Sequence, residues 1–336
     1  MQYKVITDPN LKERGQWDDF NSAHPQGNIF QSFMYYEAVL NTNAFDPHIF
    51  IVFDANDNIV GGMVAVIQKE HKGLVGYFSS RSIIQSGPLV KDDDPQILSF
   101  LLSFYFKNIK RRAIYSQFRN SWEQSYEKTV FSNLKADFFP HLNILVDLTK
   151  SKDDLWKDVH SKRRNEIRRA IKEGTSVRRI QNNKELHSAY EILKEVYQRV
   201  KIPLPKLRFF EELFTELNKI DLMQCFIALN DNQIIGTMIV FSFGETIYDW
   251  YAGAKQEAYK KYPNDLIPWV VFEWGKENGY QKFDFGGAGK PDEKYGVRDY
   301  KKKFGGDFVS PGRYEIVHNK LLMMLGKLAY KIYKKV

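Results

Sequence analysis

FIVFDANDNIVGGMVAVI at 50–67 and FIALNDNQIIGTMIVF at 226–241 are two versions of one hairpin. In each, a β-branched run enters an Asp/Asn turn and a second apolar strand returns with Ile, Gly and Met in one register. Ile59, Gly61 and Met63 fall opposite Ile234, Gly236 and Met238, a constant offset of 175 residues. Asn and Asp tolerate the left-handed backbone of tight turns, so Asp57-Asn58 and Asp231-Asn232 mark the two reversals. An echo at one domain length predicts a duplicated structural unit.

The flanking segments repeat in the same order. Helix SFMYYEAVLNT follows Phe30-Gln31-Ser32, and 94–111 has the apolar density of a buried helix. In the second half come helices within 153–173 and 184–217, the hairpin, a strand at 246–254, a helix near 265–278 and a strand at 280–288. This order predicts an α/β protein with mixed sheets, in two tandem domains. The boundary is expected near 150, where Ser151 can cap a new helix with Asp154 three residues on, giving domains 1–150 and 151–313. A helix over 314–336 is expected to pack on the first domain. Leu321, Leu325, Leu328 and Ile332 share one of its faces, and Lys320, Lys327, Lys331 and Lys334 another, which also fits peripheral contact with a membrane.

With 336 residues, the chain has room for two ordinary domains, and 43% apolar residues supply two cores. No run reaches the 18 or so apolar residues of a spanning helix, and the first residues lack a secretory h-region, so a cytoplasmic location is expected. The lone Cys225 and seven scattered His predict neither a disulfide nor a metal centre. A net charge of +8 favours a polyanionic partner: tRNA, a nucleotide-linked sugar, the CoA pyrophosphate or an anionic membrane face. There is no phosphate-binding Walker loop and no Gly-x-Ser-x-Gly elbow, which takes most of the weight from the common kinase and hydrolase readings.

Three segments concentrate chemistry. HSKRRNEIRRAIKEG (160–174) crowds Lys162, Arg163, Arg164, Arg168 and Arg169 on one helix, suited to phosphate or tRNA binding, or equally to a solvated face. In the strand around Asp249-Trp250-Tyr251, alternation puts Asp249 and Tyr251 on one face, where a carboxylate and a phenol can orient and deprotonate an amine; sheet packing is the alternative. FDFGGAGKPDEKYGVRDYKKKFGG (283–306) joins the densest glycine cluster to Lys301 between Tyr300 and Phe304. Glycines admit a ligand close to the backbone, and an ammonium beside them can stabilise phosphate or an oxyanion.

The second and third segments carry a resemblance. Trp250-Tyr251-Ala252-Gly253-Ala254, Pro263-Asn264, Asn278-Gly279-Tyr280, Asp284-Phe285-Gly286-Gly287, and Gly296-Val297 through Tyr300-Lys301 to Phe304-Gly305-Gly306 follow in order. This ordered set resembles the FemABX family of peptidoglycan interpeptide-bridge aminoacyltransferases, with the related BioF2-like acyltransferases of the GNAT superfamily. Thinner matches lie at Phe30-Gln31-Ser32, Ser86-Gly87-Pro88 and the helix bearing Arg164 and Arg168.

The resemblance implies two tandem GNAT-like domains and transfer of an aminoacyl or acyl group to an amine of a cell-envelope precursor or nucleotide-linked sugar. It implies that Lys301 lies beside the substrate phosphate and the reaction centre; Asp249 and Tyr251, read from the strand itself, are the expected groups that orient and deprotonate the amine. Tyr300, Phe304, Arg164, Arg168, Asp284, Gln31 and Tyr35 are the expected substrate-binding residues. No cofactor is expected to be tightly bound; the donor is aminoacyl-tRNA or acyl-CoA, and the acceptor an anionic, nucleotide-linked molecule. The sequence departs from the family in places. Pro205 and Phe209 stand where an Arg and a Tyr contact the precursor, and Tyr35 stands in place of a Trp. The loop AKQEAYKKYPNDL also lacks the Arg/Gln-x-x-Gly-x-Gly/Ala pyrophosphate cradle of acetyl-CoA enzymes. The competing readings are a CoA-dependent N-acyltransferase and a non-catalytic binding protein for nucleic acid or the envelope.

Overall fold

The computed structural model describes residues 3–69, 78–123 and 126–333. The chain divides into two compact units, Met1–Pro140 with Ser310–Val336, and His141–Val309.

In the first unit, strands β1 (Lys4–Ile6), β2 (Asp46–Phe53), β3 (Ile59–Gln68), β4 (Arg81–Gln85), β6 (Tyr115–Arg119), β15 (Arg313–Val317) and β7 (Asp137–Phe139) lie side by side, with β5 (Leu89–Val90) on β3. The β4–β6 pair is parallel. The Pro95–Ile109 helix starts at Asp94, whose side chain takes the Gln96 N–H, and Pro95 suits the first helical position because its missing N–H would be unpaired there. Its Leu98, Leu101, Leu102, Tyr105 and Ile109 are fully buried against Met63, Ala65 and Ile67 of β3. Burial of each such side chain contributes roughly 1.5–3 kcal/mol. Trp17, from the Leu11–Ala23 helix, is fully buried over Gly62, where an added Cβ would come within 2.7 Å of the indole.

The second unit's sheet runs β14 (Asp307–Val309), β8 (Asn143–Asp147), β13 (Lys282–Gly287), β12 (Thr246–Ala254), β11 (Gln233–Phe243), β10 (Met223–Asn230) and β9 (Ser176–Arg179). One face carries the Pro263–Glu277 helix, against which the Ser161–Lys172 helix packs. The other carries the Asn183–Arg199 helix, with Val196 and Leu193 against Gly253. The Leu207–Leu217 helix follows, separated from it by the break at Pro203 and Pro205, residues that cannot continue a helix.

The two hairpins sit in different sheets and share one irregularity. Val52 faces Gly61 and the next pair is Phe53 with Ile59, so Val60 is skipped. Ala228 faces Gly236 and the next pair is Leu229 with Ile234, so Ile235 is skipped. Each glycine lies where the following helix comes nearest, Gly61 against Ile97 and Gly236 against Pro263 and Ile267. A bulge and a close approach at matching positions are the structural form of the echo.

Three expectations change. β8 precedes residue 150 yet pairs with β13 and β14 in the second sheet. Arg313–Val317 is not the start of a helix but a strand, paired with β6 and β7; its alternation buries Tyr314. The last helix therefore runs only over Lys320–Tyr333, with the Asn319 side chain accepting the Leu322 N–H. Its expected packing face points the other way: Leu321, Met324 and Leu325 are 62%, 62% and 43% exposed, while Leu322, Met323 and Gly326 are half-buried. The side chains of Lys327, Leu328, Lys331 and Ile332, and all of Lys334, lie outside the described ones. Among the described residues no helix is long and apolar enough to cross a membrane.

Candidate active site

The parallel pair β12–β13 opens into a wedge. It is hydrogen-bonded through Thr246, Ile247 and Tyr248 opposite Lys282, Phe283 and Asp284, and the strands then part. Both are bent at that point. On β12, Asp249 faces Val240 and Tyr251 faces Ile239, leaving Trp250 as the extra residue of a bulge. On β13, the register against β8 slips between Asp284 and Gly287. Gly286, at φ +65°, takes the left-handed turn that this slip needs, and its N–H donates to Asp284 Oδ1 at 2.7 Å.

Lys301, from the Gly296–Lys302 helix, enters this wedge. Its ammonium donates to the Phe285 carbonyl and to the Gly287 carbonyl, the latter at 3.3 Å. Asp249 Oδ2 lies 3.9 Å away, and the Lys301 and Asp249 side chains are only 14% and 10% exposed. Burial raises the Asp249 carboxyl above its ordinary pKa, with the Lys301 charge opposing. Asp284 is pushed up to about 6, mainly by burial, against the Gly286 N–H and Lys301. The site thus joins a buried ammonium to carboxylates more basic than ordinary ones, a combination that can accept a proton from an amine and hold developing negative charge.

The bulge alters the expected arrangement of Asp249 and Tyr251. Trp250 and Tyr251 both touch Phe210, with ring centroids 5.9 and 5.0 Å from it, so consecutive residues meet the same neighbour and simple alternation fails. Tyr251 also contacts Tyr197 at 5.5 Å. The Tyr197 hydroxyl is raised above its ordinary pKa by burial, then by Tyr251, Asp249 and Tyr295. Tyr197 and Tyr295 are therefore site neighbours that sequence reasoning passed over; no spacing links them to Asp249, because the Asn183–Arg199 helix and the loop bearing Tyr295 meet it only in the folded chain.

The other expected binding residues occupy different places. Tyr300 donates its hydroxyl to the Asn264 carbonyl, and Phe304 is buried against Phe285 and Phe272. They hold the Lys301 helix against the core rather than facing a ligand. Arg164 caps the preceding helix, donating to the Trp156 and Lys157 carbonyls at 3.1 Å each. Arg168 bonds Asn165 and lies over the Trp156 ring. Arg163, next to them, is tied to Asp265 and to Glu166, and stacks over Tyr300 and Phe304. Much of this basic helix is thus engaged by the protein. In the first unit Gln31 is fully buried, accepting the Val64 N–H at 2.7 Å and donating to the Gln85 carbonyl at 2.8 Å, so its amide ties β3 to β4 and is not offered to a ligand. Tyr35 stacks edge-on to Phe30, and burial raises its hydroxyl above the ordinary range.

Asp284 makes a stability prediction. A carboxyl that keeps its proton up to pH about 6 when folded, but ordinarily loses it near 3.8, gives stability that is complete below 3.8 and lost as pH passes 6. Two pH units correspond to about 3 kcal/mol. Unfolding free energies measured from pH 4 to pH 7.5 should fall by that order, and Asp284→Asn should flatten the fall.

Comparison with known proteins places this geometry inside a recognisable domain. Residues 161–302, which include Asp249, Asp284 and Lys301, match the acetyltransferase (GNAT) domain. A relative from Weissella viridescens, UDP-N-acetylmuramoylpentapeptide-lysine N(6)-alanyltransferase, is 21% identical over 302 residues, covering 84% of this chain and 85% of the relative. A solved structure of FemX aligns with a TM-score of 0.74 at 16% identity, over 97% of this chain and 99% of that one. A tandem GNAT protein from the clavulanic acid biosynthesis pathway aligns with a TM-score of 0.60 at 10% identity, over 95% and 99% of the two chains. Residues 161–302 are therefore a GNAT-type acyltransferase domain, and over its whole length the chain is similar to a muropeptide alanyltransferase and shares the fold of FemX and of a tandem GNAT protein.

Proposed function

We propose that this enzyme moves an aminoacyl group from an aminoacyl-tRNA to an amine of a nucleotide-linked cell-envelope precursor. One observation carries the reading: the Lys301 ammonium is held by two carbonyls beside Asp249, where β12 and β13 part.

Two of the three ammonium donors are spent on those carbonyls. Asp249 Oδ2 lies 3.9 Å from the nitrogen, longer than a hydrogen bond, so one N–H remains for an incoming oxygen anion. The acceptor nitrogen attacks the ester carbonyl carbon, the N–C bond forms and the carbonyl electron pair moves onto oxygen. Lys301 stabilises that oxyanion. Asp249 takes the proton the amine must lose, the C–O bond to the tRNA ribose breaks, and the proton passes to the departing hydroxyl oxygen, so atoms and charge balance.

The start of the Pro263–Glu277 helix supports an ester donor over CoA. A diphosphate seated there needs open backbone N–H groups. Pro263 offers none, Asp265 puts a carboxylate in the first turn, and the Asp265 and Leu266 N–H groups already donate to the Tyr262 carbonyl. The acceptor follows the name of the Weissella viridescens relative, a UDP-linked muropeptide alanylated on a lysine. Pro205 and Phe209 replace the Arg and Tyr expected against such a precursor, so the acceptor class is a nucleotide-linked amine rather than that one muropeptide.

The test is to supply the enzyme with a UDP-linked muropeptide and either charged tRNA or acyl-CoA, and to weigh the product by mass spectrometry. An added aminoacyl mass with charged tRNA alone is expected. Acyl transfer from CoA alone would replace this reading with a CoA-dependent N-acyltransferase.

A further inference from the structure

The final helix presents an apolar surface that the first unit does not cover. Leu322, Met323 and Gly326 are half-buried, and an added Cβ on Gly326 would lie 3.4 Å from the Phe78 carbonyl, so this side of the helix meets the body of the unit. The opposite side holds Leu321, Met324 and Leu325, all exposed, and the Phe78 ring is exposed nearby. Three large apolar side chains at i, i+3 and i+4 form a stripe rather than scattered surface residues. The helix continues to Tyr333.

Charge selects the partner. From Asn319 to Val336 the sequence has five lysines and no acid. Lys320, the first of them, is exposed beside Leu321 at the start of the helix. An apolar stripe edged by lysines lets leucines enter the acyl boundary while the long lysine stems keep their ammonium groups at the headgroups. A second protein would need a matching apolar groove with acids along one side; an anionic bilayer supplies both over any area. We propose that the Lys320–Tyr333 helix lies in the plane of an anionic phospholipid surface and holds this enzyme reversibly at a membrane. The inference does not depend on the reaction assigned to the wedge.

The experiment is sedimentation of the full chain with phosphatidylcholine vesicles and with equimolar phosphatidylcholine–phosphatidylglycerol vesicles. Partitioning onto the anionic vesicles should exceed that onto neutral ones at least tenfold, and should be lost near 1 M salt, where screening shortens to about 3 Å. Replacing Leu321 and Leu325 together by Glu should abolish binding without changing the melting temperature, since both side chains are already exposed. Replacing Lys320, Lys327 and Lys331 together by Gln should remove the preference for phosphatidylglycerol. Equal binding to both vesicle types, binding that survives the double Glu variant, or no binding at all would each overturn the proposal. So would a concentration-dependent dimer in sedimentation velocity that the double Glu variant dissolves, because the stripe would then belong to a second copy.

Discussion

Lys301→Met should lower kcat about 10²- to 10³-fold, the usual loss when one donor to a developing oxyanion is removed. Methionine fills similar volume without a charge, and Tyr300 and Phe304 still anchor the helix, so the fold should persist. The variant also strips Asp249 of its counter-charge. Burial already raises that carboxyl and Lys301 is what opposes it, so without Lys301 the group should hold its proton to higher pH. The acid limb of the kcat profile should shift upward as kcat falls, while KM for the acceptor changes little. A purely structural lysine would move stability and KM and leave the pH limb in place. Asp249→Asn should cost about 10²- to 10⁴-fold, as for a lost general base. The double variant should be little worse than the worse single one, because groups acting as a unit do not add. Less than threefold loss for Lys301→Met under saturating substrates would remove the ammonium from the reaction.

The largest stability effect is expected at a residue that looks, in sequence, like part of a nucleic-acid surface. Arg163→Ala should destabilise the enzyme by about 3–5 kcal/mol, because it leaves a buried carboxylate unpaired. Arg163 and Asp265 are only 12% and 9% exposed, so solvent screens the pair weakly, and the guanidinium also covers Tyr300 and Phe304. At roughly 2–4 °C per kcal/mol for a unit of this size, the melting temperature should drop by about 10 °C. Lys162→Ala, on the exposed side of the same helix, should shift it by under about 0.5 kcal/mol. If the two variants melt together, Arg163 is a surface cation and its pairing with Asp265 carries no weight in the fold. The pair also bears on function: it joins the Ser161–Lys172 helix to the first turn of the Pro263–Glu277 helix, next to the segment that carries Lys301.

The fold and its repeat were legible because their signals are local. The period-two runs, the Asp/Asn turns and the glycines at 61 and 236 each answer to a few neighbouring residues, and their repetition at one offset needs no knowledge of contacts. The same holds for the ordered motifs from Trp250 to Gly306, which single out Lys301, and for the strand pattern that marks Asp249. Where the signal was composition alone, the result differs. The cations of 160–174 read as a patch, yet Arg163 and Arg164 are consumed by Asp265 and by helix-end carbonyls. Gln31, Tyr300 and Phe304 fall in matching motifs but have their polar atoms or rings satisfied inside the protein.

What the amino-acid sequence determined by itself is the repeated unit, the class of fold and the stretch that holds the candidate site, since propensity, periodicity and turn geometry act over a few residues. Tertiary structure alone decided three things. It set the bulges at Trp250 and Gly286 that open the wedge beside Asp249, and brought Lys301 from its helix onto the Phe285 and Gly287 carbonyls. It drew Arg313–Val317 into the first sheet beside β6. It turned Leu321 and Leu325 outward. An apolar period tells a segment which side to hide but not what will cover it; that depends on which distant strands and helices close around it, and a one-residue slip in pairing leaves no mark in the local sequence.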